Sequence, residues 1–192
     1  MFLAKIISVV LHPFIVSSTT FLIFLIHSNI PVFNRVVILT VALIATVVFP
    51  MLHVISMKKR GNTISLDIPE REKRIYPFLL SILIYVIALG VLWLIRSPKP
   101  ILILMWAYAF NTTVATIVTR YWKVSIHGMA LGGPVAALGI VVSPGFYWLT
   151  PSALLILFSR VKLKAHTPAQ VITGFILGFL LTYIHFKLLL LL

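Results

Sequence analysis

The segment Ser159–Gln170 contains residue types that can bind and transfer a phosphoryl group. Arg160 can hold two phosphate oxygens at once through its guanidinium, and a neutral His166 imidazole is a competent nucleophile. Thr167 and Gln170 have the spacing of a capping box, with Pro168 at the first helical position. His166 therefore stands at a helix N-terminus, where free N–H groups and the helix dipole favour an anion. Taken alone, His166 can equally be an interfacial histidine solvated by water.

A second short segment, Trp122–Gly128, carries another serine and histidine. Ser125 is placed to be the N-cap of the helix that follows, and its hydroxyl is also able to bond a phosphate oxygen. His127 titrates near neutral pH, which suits a general acid for a leaving alkoxide. A basic and aromatic membrane border explains the same residues about as well.

A third segment, 67–77, is the most highly charged part of the chain. Arg71 and Arg74 are three positions apart, so one helical turn places them on the same side, where they can clamp a phosphate. Glu70 and Glu72 would then pair with neighbouring cations. A solvated, positively charged loop is the alternative, although it explains Lys58, Lys59 and Arg60 better than the two arginines.

Composition shows what kind of molecule must position these residues. The 192-residue chain is 61% hydrophobic and has 16 Lys and Arg against three acids, far from the composition of soluble domains. This predicts an integral membrane protein and leaves no basic face large enough for nucleic acid. The chain has no cysteine, which excludes disulfides, thiolate metal sites and a cysteine nucleophile.

Stretches without charge predict the membrane spans. They cover 6–34, 36–57, 75–95, 100–119, 124–159 and 165–186. The long fifth stretch contains Pro144-Gly145, a strong turn signal, and is predicted to be a hairpin. The fold class is therefore all-α, a polytopic membrane helix bundle of about seven transmembrane helices in one domain, 1–192. Within it we expect two N-terminal spans in 1–57, a charged active-face loop at 58–76 and a core at 77–192.

Alternation of seven spans puts the loops 58–76, 120–127 and 160–167 on one membrane face. That face carries 12 of the 16 basic residues, which by the positive-inside rule predicts a cytoplasmic site in what we expect to be a prokaryotic cell membrane. Gly128-x3-Gly132 and Gly174-x3-Gly178 predict close contact between two of the helices that carry these loops. His12 shares a helical stripe with Ser8 and Thr19, and is interpreted as polar packing inside the bundle.

The three segments resemble the signatures of the type 2 phosphatidic acid phosphatase superfamily, which includes lipid phosphate phosphatases and is related to vanadium haloperoxidases. Ser159-Arg160 followed after five residues by His166 resembles the third signature, SRxxxxxHxxxD. Ser125-Ile126-His127 resembles the second, PSGH, and Arg74 to Pro77 resembles the end of the first, KxxxxxxRP. The resemblance covers residues from about 67 to 186 and implies a six-helix phosphatase-like core.

The resemblance implies roles for individual residues. His166 would be the nucleophile that forms a phosphohistidine, and His127 the acid for the leaving group. Arg74, Ser125 and Arg160 would bind phosphate oxygens. Neither a metal nor another cofactor is implied.

The chain departs from the signatures at several positions. Asp67 stands where the family has Lys, so that Arg71 or Lys73 would have to substitute for it. Val124 and Ile126 replace the Pro and Gly of PSGH. Gln170 replaces the Asp that orients the nucleophile; its carbonyl can still accept from the imidazole but brings no negative charge.

These residues predict a membrane-embedded phosphatase that hydrolyses a lipid phosphate or a polyprenyl phosphate or diphosphate, with the substrate and membrane lipids as its partners. The alternative is a non-catalytic lipid-phosphate-binding or transport protein that retains the fold, favoured by the changes at 67, 126 and 170. A prenyl transferase is disfavoured because the sequence has no pair of Asp-rich, magnesium-binding clusters.

Overall fold

The computed structural model describes residues 1–65 and 67–191, and within these ranges the chain forms helices and no strand. Nine α-helices follow one another: α1 (Phe2–Val10), α2 (Pro13–Ile26), α3 (Val32–Leu43), α4 (Phe49–Lys59), α5 (Ile75–Leu94), α6 (Lys99–Tyr121), α7 (Ile126–Val141), α8 (Ser152–Lys162) and α9 (Pro168–Leu191). A π-helical segment, Ile44–Val48, joins α3 to α4, and 3-10 turns occur at Glu72–Arg74 and Pro144–Leu149. The predicted all-α class is confirmed.

In the part of the chain that the structure describes, five helical segments are long and apolar enough to cross a membrane: Phe2–Ile26, Val32–Lys59, Glu72–Leu94, Lys99–Tyr121 and Pro168–Leu191. The predicted hairpin corresponds to α7, with 16 residues, and α8, with 11. At 1.5 Å per residue these helices are about 24 and 17 Å long, shorter than the ~30 Å hydrocarbon core. The chain is an integral membrane protein by this criterion, while the count of seven spans and the six-helix core remain predictions.

Prolines explain where the long apolar segments break. Pro13 is the first residue of α2, after a break at Leu11 and His12 that separates α1 from it. Pro50 follows the π-helical segment; because proline has no N–H and its ring clashes with the carbonyl four residues earlier, a wider turn there relieves the clash. Helix α7 ends at Val141, and a 3-10 turn begins at Pro144.

Helices α7 and α9 pack backbone against backbone, which confirms the prediction from the two glycine pairs. A Cβ built on Gly128 would lie 2.6 Å from the carbonyl oxygen of Val171, and Gly132, Gly174 and Gly178 are equally close to the facing backbone. Small residues permit this approach in membrane helices. The contact matters for the site because α7 begins next to His127 and α9 begins just after His166.

The N-terminal helix α1 packs along α8. The hydroxyl of Ser159 donates to the carbonyl oxygen of Ala4 at 2.7 Å, and both residues are buried. The break after α1 leaves His12 at the N-terminus of α2, where its Nδ1 accepts from the N–H of Phe14 at 3.2 Å. The first predicted span therefore reaches the region that holds the signature residues.

Candidate functional site

Polar and charged side chains from distant parts of the chain line one end of a cavity within the bundle. They are His12, Asp67, Arg74, His127, Arg160 and His166. The cavity has a volume of about 210 Å³, and its remaining wall is mainly apolar, with Phe49, Phe78, Leu80, Leu104 and Met129 among its residues. The site thus joins a charged end to an apolar interior, as an amphiphilic ligand requires.

His166 lies in the turn between α8 and α9, and its neighbours determine which ring nitrogen carries the proton. Its Nδ1 is 3.1 Å from Oε1 of Gln170, and the N–H of Thr167 donates to the same atom at 3.1 Å. An atom that receives a backbone N–H must be the amide oxygen, so the imidazole hydrogen is on Nδ1. Nε2 therefore keeps its lone pair, as a nucleophile requires.

The electrostatic surroundings keep the His166 ring neutral. Burial, followed by the positive charges of Arg74, Lys123 and Arg160, lowers the pKa of His166 to about 3, although the hydrogen bond to Gln170 acts in the opposite direction. Only 8% of the residue is exposed. The ring is consequently unprotonated over the whole physiological pH range.

Gln170 forms the predicted capping box with Thr167. Its backbone N–H donates to the Thr167 hydroxyl at 3.4 Å while its side chain accepts from the Thr167 N–H. The same amide oxygen also holds His166. The two sequence interpretations of Gln170, as a cap and as the residue that orients the histidine, are therefore compatible.

Arg160 is buried at the centre of the cluster, with 1% of its surface exposed. One terminal nitrogen donates to the Ser8 hydroxyl at 2.8 Å, and the other donates to Asp67 Oδ2 at 2.9 Å. Among the residues that the structure describes, its Nε has no hydrogen-bond partner. A buried guanidinium N–H without a partner is costly and is ready to receive an anion.

Arg74 is also buried, but it donates to backbone carbonyl groups rather than to side chains. Its Nε donates to the carbonyl oxygen of Ile68 at 2.7 Å, and a terminal nitrogen donates to the carbonyl oxygen of Asp67 at 3.0 Å. Ile68 has a φ of 43°, a conformation that is strained for a β-branched residue. Arg74 therefore fixes the backbone that carries the Asp67 carboxylate.

His127 is the second residue of helix α7 and is 6% exposed. Its ring stands perpendicular to that of His12 with the centroids 5.1 Å apart. Within the described ranges of the chain, His127 Nε2 lacks a hydrogen-bond partner. This nitrogen is thus available for a ligand, as a general acid must be.

The two loops that carry the histidines are joined directly. The backbone N–H of Ser125 donates to the carbonyl oxygen of Gln170 at 3.2 Å, and Lys123 Nζ donates to the carbonyl oxygen of Ala165 at 2.9 Å. Burial and the charges of Arg74 and Arg160 lower the pKa of Lys123. These bonds fix the second signature segment against the third.

Three predicted phosphate-binding residues form hydrogen bonds or ion pairs outside the cavity. Arg71 pairs with Glu72 and donates to the carbonyl oxygen of Tyr121, and Lys73 pairs with Glu70. Ser125 is fully buried, and its hydroxyl accepts from the N–H of Gly128 as an N-cap. None of the three lines the cavity, so their predicted contact with phosphate does not follow from this arrangement.

Sequence reasoning missed Ser8, His12 and Asp67 as members of the site. His12 lies in the cavity wall rather than in purely structural packing, and Ser8 supports Arg160. The signals were present: a His-Pro pair breaks the first apolar stretch, and Asp67 is the acid of this segment that has no basic residue directly beside it in the sequence. Neither signal indicates which distant residue is the partner.

His12, Asp67 and His127 bring potential metal-ligand atoms within 4.8 Å of one another. Two nitrogens and a carboxylate suit a transition metal, but two of the three residues have competing bonds. Asp67 is bound to Arg160, and His12 Nδ1 accepts a backbone N–H, which leaves the ring hydrogen on Nε2. With Arg74, Arg160 and Lys123 nearby, the cluster favours an anion over a cation.

The chain matches no protein-family model, and neither the curated proteins nor the solved structures include a match to it.

Proposed function

We propose that the protein is a membrane-embedded phosphatase that hydrolyses the phosphate ester of an amphiphilic substrate through a phosphohistidine. One observation carries the proposal: Arg160 and His127 line the same cavity as His166, and among the described residues Arg160 Nε and His127 Nε2 are buried without a hydrogen-bond partner. A phosphoryl group bound there would satisfy both atoms beside the free Nε2 of His166. The apolar wall of the cavity suits the tail of the substrate.

The first chemical step would transfer the phosphoryl group to His166. The lone pair of Nε2 attacks phosphorus, the bond from phosphorus to the ester oxygen breaks, and His127 gives its proton to that oxygen. Burial and the Arg160 charge lower the pKa of His127 and the Asp67 carboxylate raises it; an arriving phosphate dianion would add to the effect of Asp67 and favour the protonated ring before transfer. Arg160 would stabilise the charge on the phosphoryl oxygens.

The second step would hydrolyse the phosphohistidine. Water attacks phosphorus, the bond from phosphorus to Nε2 breaks, and His127 takes a proton from the water. Inorganic phosphate leaves and His166 returns to its neutral form. Gln170 supports both steps by holding Nδ1–H, so that Nε2 stays directed toward the cavity.

The test replaces His166 with alanine and measures phosphate release from phosphatidic acid, phosphatidylglycerophosphate and polyprenyl diphosphates in detergent micelles. We expect His166→Ala to abolish release without changing the unfolding temperature appreciably. His27→Ala is the control, because His27 is exposed and bonds only its own helix. Turnover that survives His166→Ala would refute the proposal.

A non-catalytic lipid-phosphate-binding or transport protein is the second candidate. It is favoured by the pair of Arg160 with Asp67, which occupies part of the guanidinium with an internal anion. Incubation with a ³²P-labelled lipid phosphate and denaturation at alkaline pH distinguishes the two. A phosphatase leaves label on His166, whereas a binding protein leaves none.

We further propose that the site faces the cytoplasm of a prokaryotic cell, on the basis of the basic residues that flank it. Because the chain has no cysteine, a single cysteine introduced beside Lys5 is a unique label. Reaction with a membrane-impermeant maleimide only after the cells are opened would support this orientation. Reaction in intact cells would contradict it.

A further inference from the structure

The charged groups of the cluster have a small positive net charge. Arg74, Lys123 and Arg160 act on His166 from α5, from the loop before α7 and from the end of α8. Asp67 is the acid that acts on His127. Three cations and one anion leave two positive charges, which match one phosphate monoester dianion.

Asp67 is fixed in place and stays ionised. Arg160 binds its carboxylate at 2.9 Å, while Arg74 holds its backbone carbonyl. Burial opposes ionisation of the carboxyl group, but the Arg160 and His127 charges outweigh it and lower the pKa of Asp67. Asp67 lines the cavity, and 43% of its side chain is exposed.

The position of Asp67 relative to the reaction axis gives it a specific effect. In phosphoryl transfer the attacking and leaving atoms are roughly in line with phosphorus, so a group attacked by His166 departs toward the acid, His127. Asp67 and His12 each place a side-chain oxygen or nitrogen within 4.8 Å of one on His127. The leaving group of the proposed reaction therefore departs next to a fixed negative charge.

We propose, on the basis of the proposed function, that Asp67 makes the site selective for phosphate monoesters over diphosphate esters. A monoester releases an alcohol, which carries no charge past Asp67. A diphosphate ester that transfers its terminal phosphoryl group releases an alkyl phosphate, whose charge is repelled by the carboxylate. The diphosphate also exceeds the two positive charges of the cluster.

The test compares a prenyl monophosphate with the diphosphate of the same alcohol, so that the apolar tail is constant. The ratio of kcat/KM for the two substrates is measured in the wild-type protein, in Asp67→Asn and in Asp67→Glu. We expect the wild type and Asp67→Glu to prefer the monophosphate. Asp67→Asn should shift the ratio toward the diphosphate on the order of tenfold, as one charge pair about 5 Å apart in a partly solvated site predicts.

Glu70→Gln is the matched control, because Glu70 lies in the same charged segment but pairs with Lys73 outside the cavity. It should leave the ratio unchanged. An equal shift in Glu70→Gln would mean that overall charge, rather than the position of Asp67, determines the preference, and would overturn the inference. So would an unchanged ratio in Asp67→Asn or a wild-type preference for the diphosphate.

If Asp67→Asn fails to fold, inhibition of the wild type provides the same comparison. Inorganic phosphate should inhibit hydrolysis of the monophosphate at a lower concentration than pyrophosphate does, and the reverse order would overturn the inference. The test distinguishes failure of the proposed selectivity from failure of the proposed phosphatase activity. Phosphate release that depends on His166 but shows no effect of Asp67 refutes the selectivity alone, whereas absence of any release from either substrate refutes the phosphatase as well.

Discussion

Gln170→Glu is the substitution that best isolates the missing negative charge behind His166. Glutamate has the length of glutamine, so its carboxylate can accept from His166 Nδ1–H and from the Thr167 N–H, each of which is 3.1 Å from Oε1 in the structure. Aspartate is one methylene shorter and cannot reach both donors from the same backbone. The exchange therefore keeps the geometry and adds one charge, which is also favourable at the N-terminus of α9.

The magnitude follows from the separation of the two groups. With the charges about 4 Å apart, the attraction between the carboxylate and a positive imidazole is about 1 kcal/mol in water and about 4 kcal/mol at an effective dielectric constant of 20. Because Gln170 is partly exposed, we take about 2 kcal/mol, which corresponds to a rate factor of roughly 10 to 100. The pKa of His166, about 3 in the wild type, should rise by between about 1 and 3, so the ring remains mostly neutral at pH 7.

The assay measures formation of the phosphohistidine in a single turnover, by rapid mixing with a ³²P-labelled lipid phosphate and alkaline quench. Gln170→Glu should accelerate this step. Gln170→Leu, which removes both acceptor bonds, should slow it and lower the free energy of unfolding by about 1 kcal/mol through loss of the cap. The unfolding temperature of each variant separates capping from chemistry.

Two results would refute this reasoning. If Gln170→Glu folds normally but forms the phosphohistidine no faster, the charge behind the ring does not limit the reaction. If Gln170→Leu unfolds more easily but reacts at the wild-type rate, Gln170 is only a cap. In either case the hydrogen bond that keeps the proton on His166 Nδ1 would not contribute to the rate of the reaction.

Three further predictions concern packing, pH and the buried arginine. Gly132→Ala should lower the free energy of unfolding by about 1–3 kcal/mol, because the new Cβ meets the backbone of α9. Gly90→Ala should leave the free energy of unfolding unchanged, because a Cβ there meets nothing within 4 Å. Equal effects of the two substitutions would contradict the close packing of α7 on α9. The pKa of His166 is about 3 in the fold against about 6.5 in an unfolded chain. The contribution of its neutral ring to stability is therefore complete above pH 6.5 and is lost as the pH falls toward 3. His166→Gln should weaken the decline of the unfolding temperature over this range, and an identical decline in the variant would contradict the low pKa. Arg74→Lys should lower the free energy of unfolding by about 1–3 kcal/mol, since lysine cannot reach both carbonyl groups beside Asp67, and an unchanged unfolding curve would contradict that role.

Local features of the site could be predicted from the sequence because they depend on residues close together in the chain. The capping box of Thr167 and Gln170, the cap at Ser125 and the start of α9 at Pro168 are set by the preferences of helix N-termini. The glycine pairs likewise indicated the contact of α7 with α9, since few other residues permit backbones to touch.

Long-range pairing could not be predicted in the same way. Asp67 and Arg160 are 93 positions apart, and Ser8 and Arg160 are separated by 152. The spacing of Arg71 and Arg74 likewise could not show that Arg71 has a neighbouring glutamate and the carbonyl group of Tyr121 to bind. Charge-free length could not reveal that α8 would be only 11 residues, because the 3-10 turn before it is equally apolar.

The arrangement of hydrogen bonds explains why the described part of the site has the chemistry proposed for it. Most of its polar groups first satisfy the backbone: Arg74 binds two carbonyl groups, Ser125 caps α7, and Lys123 binds a carbonyl group of the loop before α9. Within the charged cluster, the described atoms left without a partner are the Nε of Arg160 and the Nε2 of His127, while His53, Tyr108 and Asn111 carry such atoms elsewhere in the cavity wall. A donor that bears a fixed charge and a nitrogen that can gain or lose a proton are the two functions that phosphoryl transfer needs around a nucleophile. Any ligand that satisfies both must bring an anionic group into a cavity with an apolar wall, and this requirement favours a lipid phosphate over a soluble phosphate.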